Sequence, residues 1–222
     1  MSTRVKICGL STEATLDAAL DAGADMVGFV LFAKSPRNVS LERAAALVRH
    51  AQARGTADAV TLLVDPDDAL VDRVVAAVKP DVLQLHGHET PERVEAIRRR
   101  SGLRVMKAVP VATADDVAQA FTYLEPQGGA DVLMFDAKPP ATPDALPGGN
   151  GLAFDWRILD AAKGRAPFAL AGGLTPDNVA AAIALTGAAI VDVSSGVESA
   201  PGQKDPDLIR RFLRAAKAAK QA

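Results

Sequence analysis

The stretch FALAGGLTPDNVAAAIALTGAAIVDV, residues 168–193, contains two short apolar runs separated by an Ala-rich segment. The runs Phe168–Ala171 and Ala189–Val193 are apolar or β-branched at nearly every position, which is typical of parallel strands that are covered on both faces. Between them, Pro176–Thr186 has the length and composition of a helix, and Gly187 follows it as a favoured helix-ending residue. The stretch therefore predicts one strand–helix–strand unit of an α/β protein.

The same alternation continues along the rest of the chain, with a spacing of roughly 20 to 30 residues. The earlier apolar runs, which we predict to be strands, are Val5–Cys8, Met26–Leu31, Ala59–Val64, Val82–Leu85, Arg104–Ala108 and Val132–Phe135. The other predicted helices are Thr12–Ala22, Leu41–Ala53, Ala69–Val78, Pro91–Arg100, Ala114–Leu124 and Pro206–Lys220. The helix after the sixth strand has the weakest pattern and is expected to start near Asp155.

Eight strand–helix units in 222 residues match a (β/α)8 TIM barrel. We therefore predict one barrel domain that spans residues 1–222. A doubly wound open sheet has the same local pattern. It is disfavoured because no Gly-x-Gly-x-x-Gly fingerprint follows the first strand, where Gly9 stands alone.

The composition is that of an ordinary globular protein, with 49% hydrophobic residues and a formal net charge of −2. This near-neutral balance gives no electrostatic reason to expect a nucleic acid or a membrane surface as a partner. The single Cys excludes an intramolecular disulfide and argues against a multi-Cys zinc site. The N-terminal residues lack a signal-peptide core, and the apolar run Met26–Ala33 is too short to span a bilayer. We therefore expect a cytoplasmic protein.

Small residues end the seventh and eighth predicted strands, at the edge where a barrel places its reactive groups. Ala171-Gly172-Gly173 follows the seventh strand, and Ser194-Ser195-Gly196 follows the eighth. Backbone amides that are not crowded by β-carbons, together with a Ser hydroxyl, form a cradle for an anion. A tight turn would explain the glycines at one strand end alone, but small residues at both ends favour a phosphate site.

Three further side chains near predicted strand ends are candidates for chemistry. Cys8 ends the first strand, which places its thiol near the site. The alternative is a buried Cys that acts only as a small hydrophobic residue. Asp136 directly follows the apolar run Val132–Phe135, and an acid there is costly unless it is paired or functional. Arg37 lies in the loop after the second strand, where a planar guanidinium suits a carboxylate or a phosphate, a solvated loop Arg being the alternative.

Histidines and acids near the third and fourth strands raise the question of a metal site. His86 and His88 flank a Gly, and Asp65, Asp67 and Asp68 form a small carboxylate cluster. The Gly breaks the strand between the two His, and the acids also suit a helix-capping turn. We therefore predict that the protein binds no metal.

Two other features have predicted roles around the site. Lys6 and Asp192 lie on strand faces that point into the barrel, where unpaired charges are disfavoured, so we expect an internal ion pair with a structural role. The Pro- and Gly-rich loop Ala137–Leu152 is longer than a minimal connection and is expected to be a mobile lid over the site.

Five motifs occur in order along nearly the whole chain. They are Lys6-Ile7-Cys8-Gly9, Lys34-Ser35-Pro36-Arg37, Gln84-Leu85-His86-Gly87, Leu170-Ala171-Gly172-Gly173-Leu174 and Asp192-Val193-Ser194-Ser195-Gly196-Val197-Glu198. Together they resemble the motifs of the phosphoribosylanthranilate isomerases of tryptophan biosynthesis. The resemblance is specific, because other phosphate-binding barrels share only the Gly-rich strand ends.

The resemblance implies an Amadori rearrangement of N-(5'-phosphoribosyl)anthranilate to 1-(o-carboxyphenylamino)-1-deoxyribulose 5-phosphate, without metal or cofactor. It implies that Cys8 is the general base, that Asp136 is the general acid and that Arg37 holds the anthranilate carboxylate. The residues expected to bind the phosphate are Gly172, Gly173, Ser195 and Gly196. A Cys thiolate near neutral pH requires a lowered thiol pKa, which we expect Lys6 and the cationic Schiff base of the reaction to provide. Asn150 departs from the Thr or Ser that the family often has in its loop.

Other functions remain compatible with the sequence. An indole-glycerol-phosphate synthase wants a Lys and several Glu at strand ends, and only Lys107 is a candidate for the Lys. A ribulose-phosphate epimerase wants paired Asp and metal-binding His, which His86 alone does not supply. A phosphate-binding barrel without activity would need neither Cys8 nor Asp136, and a Cys hydrolase would need a His beside the thiol. The oligomeric state is open, a monomer included.

Overall fold

Eight parallel strands close into a barrel in chain order, each hydrogen-bonded to the next and the last to the first. The strands are β1 (Arg4–Cys8), β2 (Met26–Val30), β3 (Asp58–Leu63), β4 (Val82–Leu85), β5 (Arg104–Val111), β6 (Val132–Ala137), β7 (Phe168–Leu170) and β8 (Ile190–Val193). The computed structural model describes residues 3–124, 128–139, 146–149 and 151–219. The predicted (β/α)8 barrel is confirmed, and the open sheet is excluded because β8 pairs with β1.

Helices cover the outside of the barrel. The α-helices are α1 (Glu13–Asp21), α2 (Leu41–Arg54), α3 (Asp68–Arg73), α4 (Pro91–Ser101), α5 (Ala114–Ala120), α6 (Val179–Thr186) and α7 (Pro206–Ala218). α3 continues as a π-helical turn over Val74–Val78, and α5 continues as a 3₁₀ turn over Phe121–Tyr123. α2 and α4 begin where the sequence predicts, because the side chains of Ser40 and Thr90 accept hydrogen bonds from first-turn amides. In the described ranges, every helix is too short or too polar to cross a membrane.

The helix after β6 differs from the prediction in type. It starts at the expected place, with the Asp155 side chain accepting from the amide of Arg157, but it is a 3₁₀ helix over Trp156–Ala162. Its i to i+3 hydrogen bonds make a tighter and shorter cover than an α-helix would give.

The start of α6 also differs from the prediction, which places it at Pro176. Asn178 Oδ1 accepts a hydrogen bond of 2.8 Å from the Thr175 amide, and Asn178 Nδ2 donates one of 2.9 Å to the Gly173 carbonyl. Because these bonds hold residues 175–178 in a turn, the helix begins only at Val179. The turn ties the start of α6 to the end of β7.

The barrel interior is apolar at one level and charged at the next. The apolar side chains are Met26, Val60, Val82, Met106, Ala108, Met134, Ala169, Ala171 and Ile190. Lys6 Nζ and Asp192 Oδ1 are 2.8 Å apart and buried, so the expected internal ion pair is confirmed. Gly28 in β2 makes room for it, because a β-carbon there would lie 3.1 Å from Lys6 Nζ and 3.0 Å from Cys8 Sγ.

Two loops border the open end of the barrel. A 3₁₀ turn over Ser195–Val197 follows β8 and leads into an antiparallel hairpin of β9 (Glu198–Ala200) and β10 (Gln203–Lys204), which the sequence analysis does not predict. In the loop after β6, residues 140–145 and Asn150 lie outside the described residues, and so does the prediction of a mobile lid.

Candidate active site

One cavity at the carboxyl ends of the strands contains every residue that the sequence proposes for the site. These residues are Cys8, Arg37, Asp136, Gly172, Gly173, Ser195 and Gly196. They come from β1, β6 and the loops after β2, β7 and β8, so they meet only because the barrel closes. Apolar side chains complete the lining, among them Val30, Phe32 and Leu62. The cavity therefore offers an apolar wall beside a set of polar groups, as small-molecule sites do.

Cys8 is the last residue of β1 and is only 3% exposed. Burial raises the pKa of its thiol, and the Lys6 ammonium opposes this rise without cancelling it. Lys6 acts in the expected direction, but in the free protein the loss of hydration outweighs it. The expected contribution of the cationic Schiff base stays a prediction. Lys6 itself is held charged, since Asp192 and Cys8 outweigh its own burial and raise its pKa.

Asp136 is held in a fixed orientation by two hydrogen bonds. Its Oδ1 accepts from the amide of Ala137 at 2.8 Å, and its Oδ2 lies 3.2 Å from His86 Nε2. Gln84 Nε2 lies 3.1 Å from Nδ1, the other ring nitrogen of His86, so the imidazole bridges Gln84 and Asp136. The contact between His86 and Asp136 was missed by the sequence analysis, although His86 stands in one of the quoted motifs.

Arg37 is buried and forms a bidentate ion pair with Glu198. Nε donates to Oε1 at 2.7 Å, and Nη2 donates to Oε2 at 2.8 Å. Glu198 in turn contacts Lys204 Nζ at 2.5 Å. Neither Glu198 nor Lys204 is among the predicted site residues. Glu198 ends a quoted motif, but Lys204 lies in the unpredicted hairpin and carries no sequence signal.

At the glycine-rich strand ends the two loops pack closely together and leave backbone amides exposed to the cavity. Gly172 and Gly173 have φ of 85° and 66°, where a β-carbon is strained. A β-carbon on Gly196 would lie 1.9 Å from the carbonyl oxygen of Leu174, so the loops after β7 and β8 touch at this glycine. Within the described part of the chain, the amides of Gly173, Ser195 and Gly196 donate no hydrogen bond. They are available to an anion such as a phosphate.

Lys107 points away from the cavity. Its neighbours in β5, Met106 and Ala108, face the barrel interior, whereas Lys107 Nζ binds Glu89 Oε2 at 2.5 Å and the Gly87 carbonyl at 2.7 Å on the outer side. The Lys that a synthase would need therefore does not reach the site.

The acids near the third strand have a structural role of the predicted kind. Asp67 Oδ1 accepts from the Leu70 amide at 2.7 Å and caps α3. Among the residues that the structure describes, no group of three or more His, Cys, Asp or Glu side chains is placed to hold a metal ion.

The chain matches known proteins along nearly its whole length. A family model described as N-(5'phosphoribosyl)anthranilate (PRA) isomerase matches residues 5–215. N-(5'-phosphoribosyl)anthranilate isomerase from Paramagnetospirillum magneticum is 56% identical over 217 residues, which cover 98% of each chain. The protein of the same name from Parvibaculum lavamentivorans is 52% identical over 220 residues, which cover 99% of this chain and 100% of the relative.

Solved structures agree with the sequence matches. Phosphoribosyl anthranilate isomerase from Thermotoga maritima superposes with a TM-score of 0.85 at 34% identity, covering 97% of this chain and 98% of that chain. A phosphoribosyl anthranilate isomerase in complex with reduced 1-(o-carboxyphenylamino)-1-deoxyribulose 5-phosphate superposes with a TM-score of 0.82 at 33% identity and the same coverage. The chain belongs to the N-(5'-phosphoribosyl)anthranilate isomerase family.

Proposed function

We propose that the chain converts N-(5'-phosphoribosyl)anthranilate to 1-(o-carboxyphenylamino)-1-deoxyribulose 5-phosphate in tryptophan biosynthesis. The observation that carries the proposal is that Cys8, Asp136 and the glycine-rich strand ends line one cavity. β1 and β6 supply the base and the acid from different parts of the barrel rim, and the strand ends offer amides to a 5'-phosphate. A relative of solved structure binds a reduced form of this product.

Asp136 acts first, as the general acid. Its carboxylic acid form gives a proton to the ribose ring oxygen while the bond between C1' and that oxygen breaks. The anthranilate nitrogen supplies the electron pair, so that a cationic Schiff base forms at C1' and Asp136 becomes a carboxylate. The hydrogen bond from the Ala137 amide, 2.8 Å from Oδ1, then stabilises the new negative charge.

Cys8 acts second, as the general base. The Schiff base makes the hydrogen on C2' acidic, and the thiolate removes it to give a neutral enolamine. The enolamine becomes the ketone when the Cys8 thiol returns a proton to C1' and the C2' hydroxyl loses one to the Asp136 carboxylate, which restores both groups. No atom or electron is gained or lost overall, so the reaction needs neither a redox cofactor nor a second substrate.

The thiolate must form although burial raises the pKa of the Cys8 thiol in the free protein. The Lys6 ammonium already favours the thiolate, and the cationic Schiff base adds a second positive charge close to the sulfur. We infer that the base becomes effective only after ring opening, when its proton acceptor role is needed. This order prevents the thiolate from taking a proton before the ring has opened.

Steady-state turnover by the purified protein tests the proposed function directly. With phosphoribosylanthranilate as substrate, we expect saturable loss of the fluorescence of the anthranilate conjugate and formation of the ketose product. Binding of the product without turnover of the substrate would indicate a phosphate-binding barrel that has no activity. The proposed reaction would then be wrong.

Replacing Gly173 with Val is expected to raise KM strongly. A β-carbon at this position would lie 2.6 Å from the Ala153 amide nitrogen, and φ of 66° is strained for Val, so the loop must shift away from the phosphate. Loss of phosphate contacts should raise KM by about 10- to 100-fold. Circular dichroism checks that the barrel remains folded. Unchanged affinity for the phosphate-bearing product would place the phosphate elsewhere.

Activity is expected to need no metal. The proposed steps use only side chains and backbone amides, and the charge that develops is handled by Asp136, Cys8 and Lys6. Dialysis against a chelator should therefore leave kcat and KM within about twofold of their starting values. Loss of activity that one divalent ion restores would contradict this prediction.

We also propose a cytoplasmic location, because the proposed base role of Cys8 requires a free thiol and thiols are kept reduced in that compartment. The expected ligand is the small-molecule substrate alone. A relative from Thermotoga maritima is described as dimeric, and for this chain the possibility of a monomer stays a prediction that sedimentation can test.

A further inference from the structure

A buried cluster of three charged side chains lies beside the cavity and has no part in the proton transfers. Arg37, Glu198 and Lys204 have side chains that are only 7%, 4% and 1% exposed. Glu198 accepts two hydrogen bonds from Arg37, at 2.7 and 2.8 Å, and one from Lys204 at 2.5 Å. The amide of Gly202 in the hairpin donates a fourth, at 3.2 Å. All the acceptor positions of the carboxylate are therefore in use.

The cluster is connected to the wall of the cavity. Lys204 Nζ also donates to the carbonyl of Ser194 at 2.9 Å and lies 3.2 Å from its hydroxyl. That hydroxyl donates to the carbonyl of Cys8 at 3.2 Å. The hairpin is thus fastened to the ends of β8 and β1, and Glu198 is held in a fixed place.

Glu198 determines which edge of the Arg37 guanidinium is free. Nε and Nη2 are used by Glu198, and Nη2 also reaches the Gly149 carbonyl at 3.3 Å. In the described part of the chain, Nη1 donates no hydrogen bond. It lies beside Gly149, where an added β-carbon would be 2.5 Å away, so this glycine keeps the approach to Nη1 open.

The charges of the cluster do not cancel. Burial alone would raise the pKa of Glu198, but hydrogen bonds and charges from Arg37 and Lys204 lower it, so the carboxylate stays ionised. Burial lowers the pKa of Lys204, and the Glu198 carboxylate opposes this by favouring the ammonium. With Lys204 protonated, the two cations and one anion leave one positive charge in excess in a buried place. A ligand that brings a carboxylate to the free edge of Arg37 would compensate for this charge.

We propose that Glu198 is a positioning residue that fixes the guanidinium of Arg37, so that the site selects aryl-amino sugar phosphates that carry a ring carboxylate. Lys204 contributes by holding Glu198 in place. The inference rests on the proposed function, since the carboxylate in question is that of the anthranilate ring. An unfixed Arg side chain would have to be ordered at each binding event, and a fixed one avoids that loss of entropy.

A pair of ligands separates this role from a general structural one. The first is the reduced product, which carries the o-carboxyl group, and the second is its phenylamino counterpart without that group. Calorimetry should show that Glu198→Gln weakens binding of the first by about 10- to 100-fold and leaves binding of the second within about twofold. Retained binding of the second ligand also shows that the variant is folded.

A double-mutant cycle tests whether Glu198 acts through Arg37. Arg37→Ala should weaken binding of the carboxylate ligand, and adding Glu198→Gln should then weaken it no further. Glu89→Gln is the matched control, because Glu89 is an equally buried carboxylate that is paired with Lys107 instead. Its effect should add to that of Arg37→Ala in full.

Two results would overturn the positioning role. One is that Glu198→Gln weakens binding of both ligands equally. The other is that the effects of Glu198→Gln and Arg37→Ala on binding of the carboxylate ligand add in full. If Glu198→Gln fails to fold, Glu198→Asp is the second variant, because it keeps the charge. It should weaken binding of the carboxylate ligand by a smaller factor and leave binding of the other ligand unchanged. Equal weakening of both ligands in Glu198→Asp would also overturn the role. A parent protein that binds neither ligand would refute the proposed function, and the positioning role with it.

Discussion

Replacing Cys8 with Ser is expected to lower kcat by roughly two to four orders of magnitude, the contribution of one general base. Ser has nearly the same shape, but its hydroxyl ionises far above neutral pH, so removal of the C2' proton should fail. KM should change much less, because we propose that the two ends of the substrate are held by Arg37 and by the amides of Gly173 and Ser195, which line the cavity. Steady-state kinetics on the purified variant measures both effects.

The pH dependence gives this prediction its own check. A base works only when it is deprotonated and an acid only when it is protonated, so kcat/KM of the parent should have a rising limb that reports ionisation of the Cys8 thiol. Burial raises the pKa of this thiol, so the rise should lie above the ordinary Cys value of about 8.5. In Cys8→Ser and Cys8→Ala the rise should disappear. If Cys8→Ser keeps near-parental kcat, the thiol is only a packing group, and His86 becomes the next candidate for the base.

Replacing Asp136 with Asn is expected to lower kcat by a similar factor, roughly two to four orders of magnitude. The amide has the size of the carboxyl group and still accepts from the Ala137 amide, but it cannot deliver a proton to the ring oxygen. Ring opening should then become the slowest step, and no Schiff base should accumulate. KM should again move little, because Asp136 does not hold either end of the substrate.

Asp131→Asn is the matched control for this variant. Asp131 lies just before the other end of β6, where Oδ2 accepts from the Val105 amide at 2.7 Å and Oδ1 pairs with Arg98 at 3.1 Å. Its substitution should lower the melting temperature and leave kcat within about twofold. An Asp136→Asn enzyme that turns over as fast as Asp131→Asn would show that the acid is elsewhere.

Arg37→Ala is expected to give the opposite kinetic pattern. Because the proposed role of Arg37 is to bind the carboxylate and not to transfer protons, KM should rise while kcat falls less. The two kinds of variant together separate binding from chemistry. A large loss of kcat with unchanged KM would place Arg37 at the reacting atoms instead.

The barrel was predictable because its sequence signals are local and repeated. Runs such as Val132–Phe135 are short and apolar, and their placement between helical segments leaves few alternatives. Cys8 and Asp136 were also accessible, since each is an unusual residue at the end of an apolar strand. The glycines after β7 and β8 were found because they occur at two strand ends at once.

The remaining features depend on contacts between distant parts of the chain. Glu198 meets Arg37 across 161 positions, and no pattern in the sequence pairs them. The late start of α6 results from the side chain of Asn178, whose bonds to Thr175 and Gly173 outweigh the favourable Thr-Pro start signal. The direction in which the pKa of the Cys8 thiol shifts depends on how completely the barrel excludes water from the sulfur, and this is visible only in the folded structure.

The burial of Cys8 has a consequence for the chemical durability of the enzyme. Peroxides and alkylating agents attack thiolates, and a thiol that is 3% exposed with a raised pKa presents little thiolate to them. We therefore expect the resting protein to resist oxidation at Cys8, its proposed base. In the proposed mechanism the thiolate forms only while an intermediate is bound, and that intermediate would itself occupy the cavity through which an oxidant would enter.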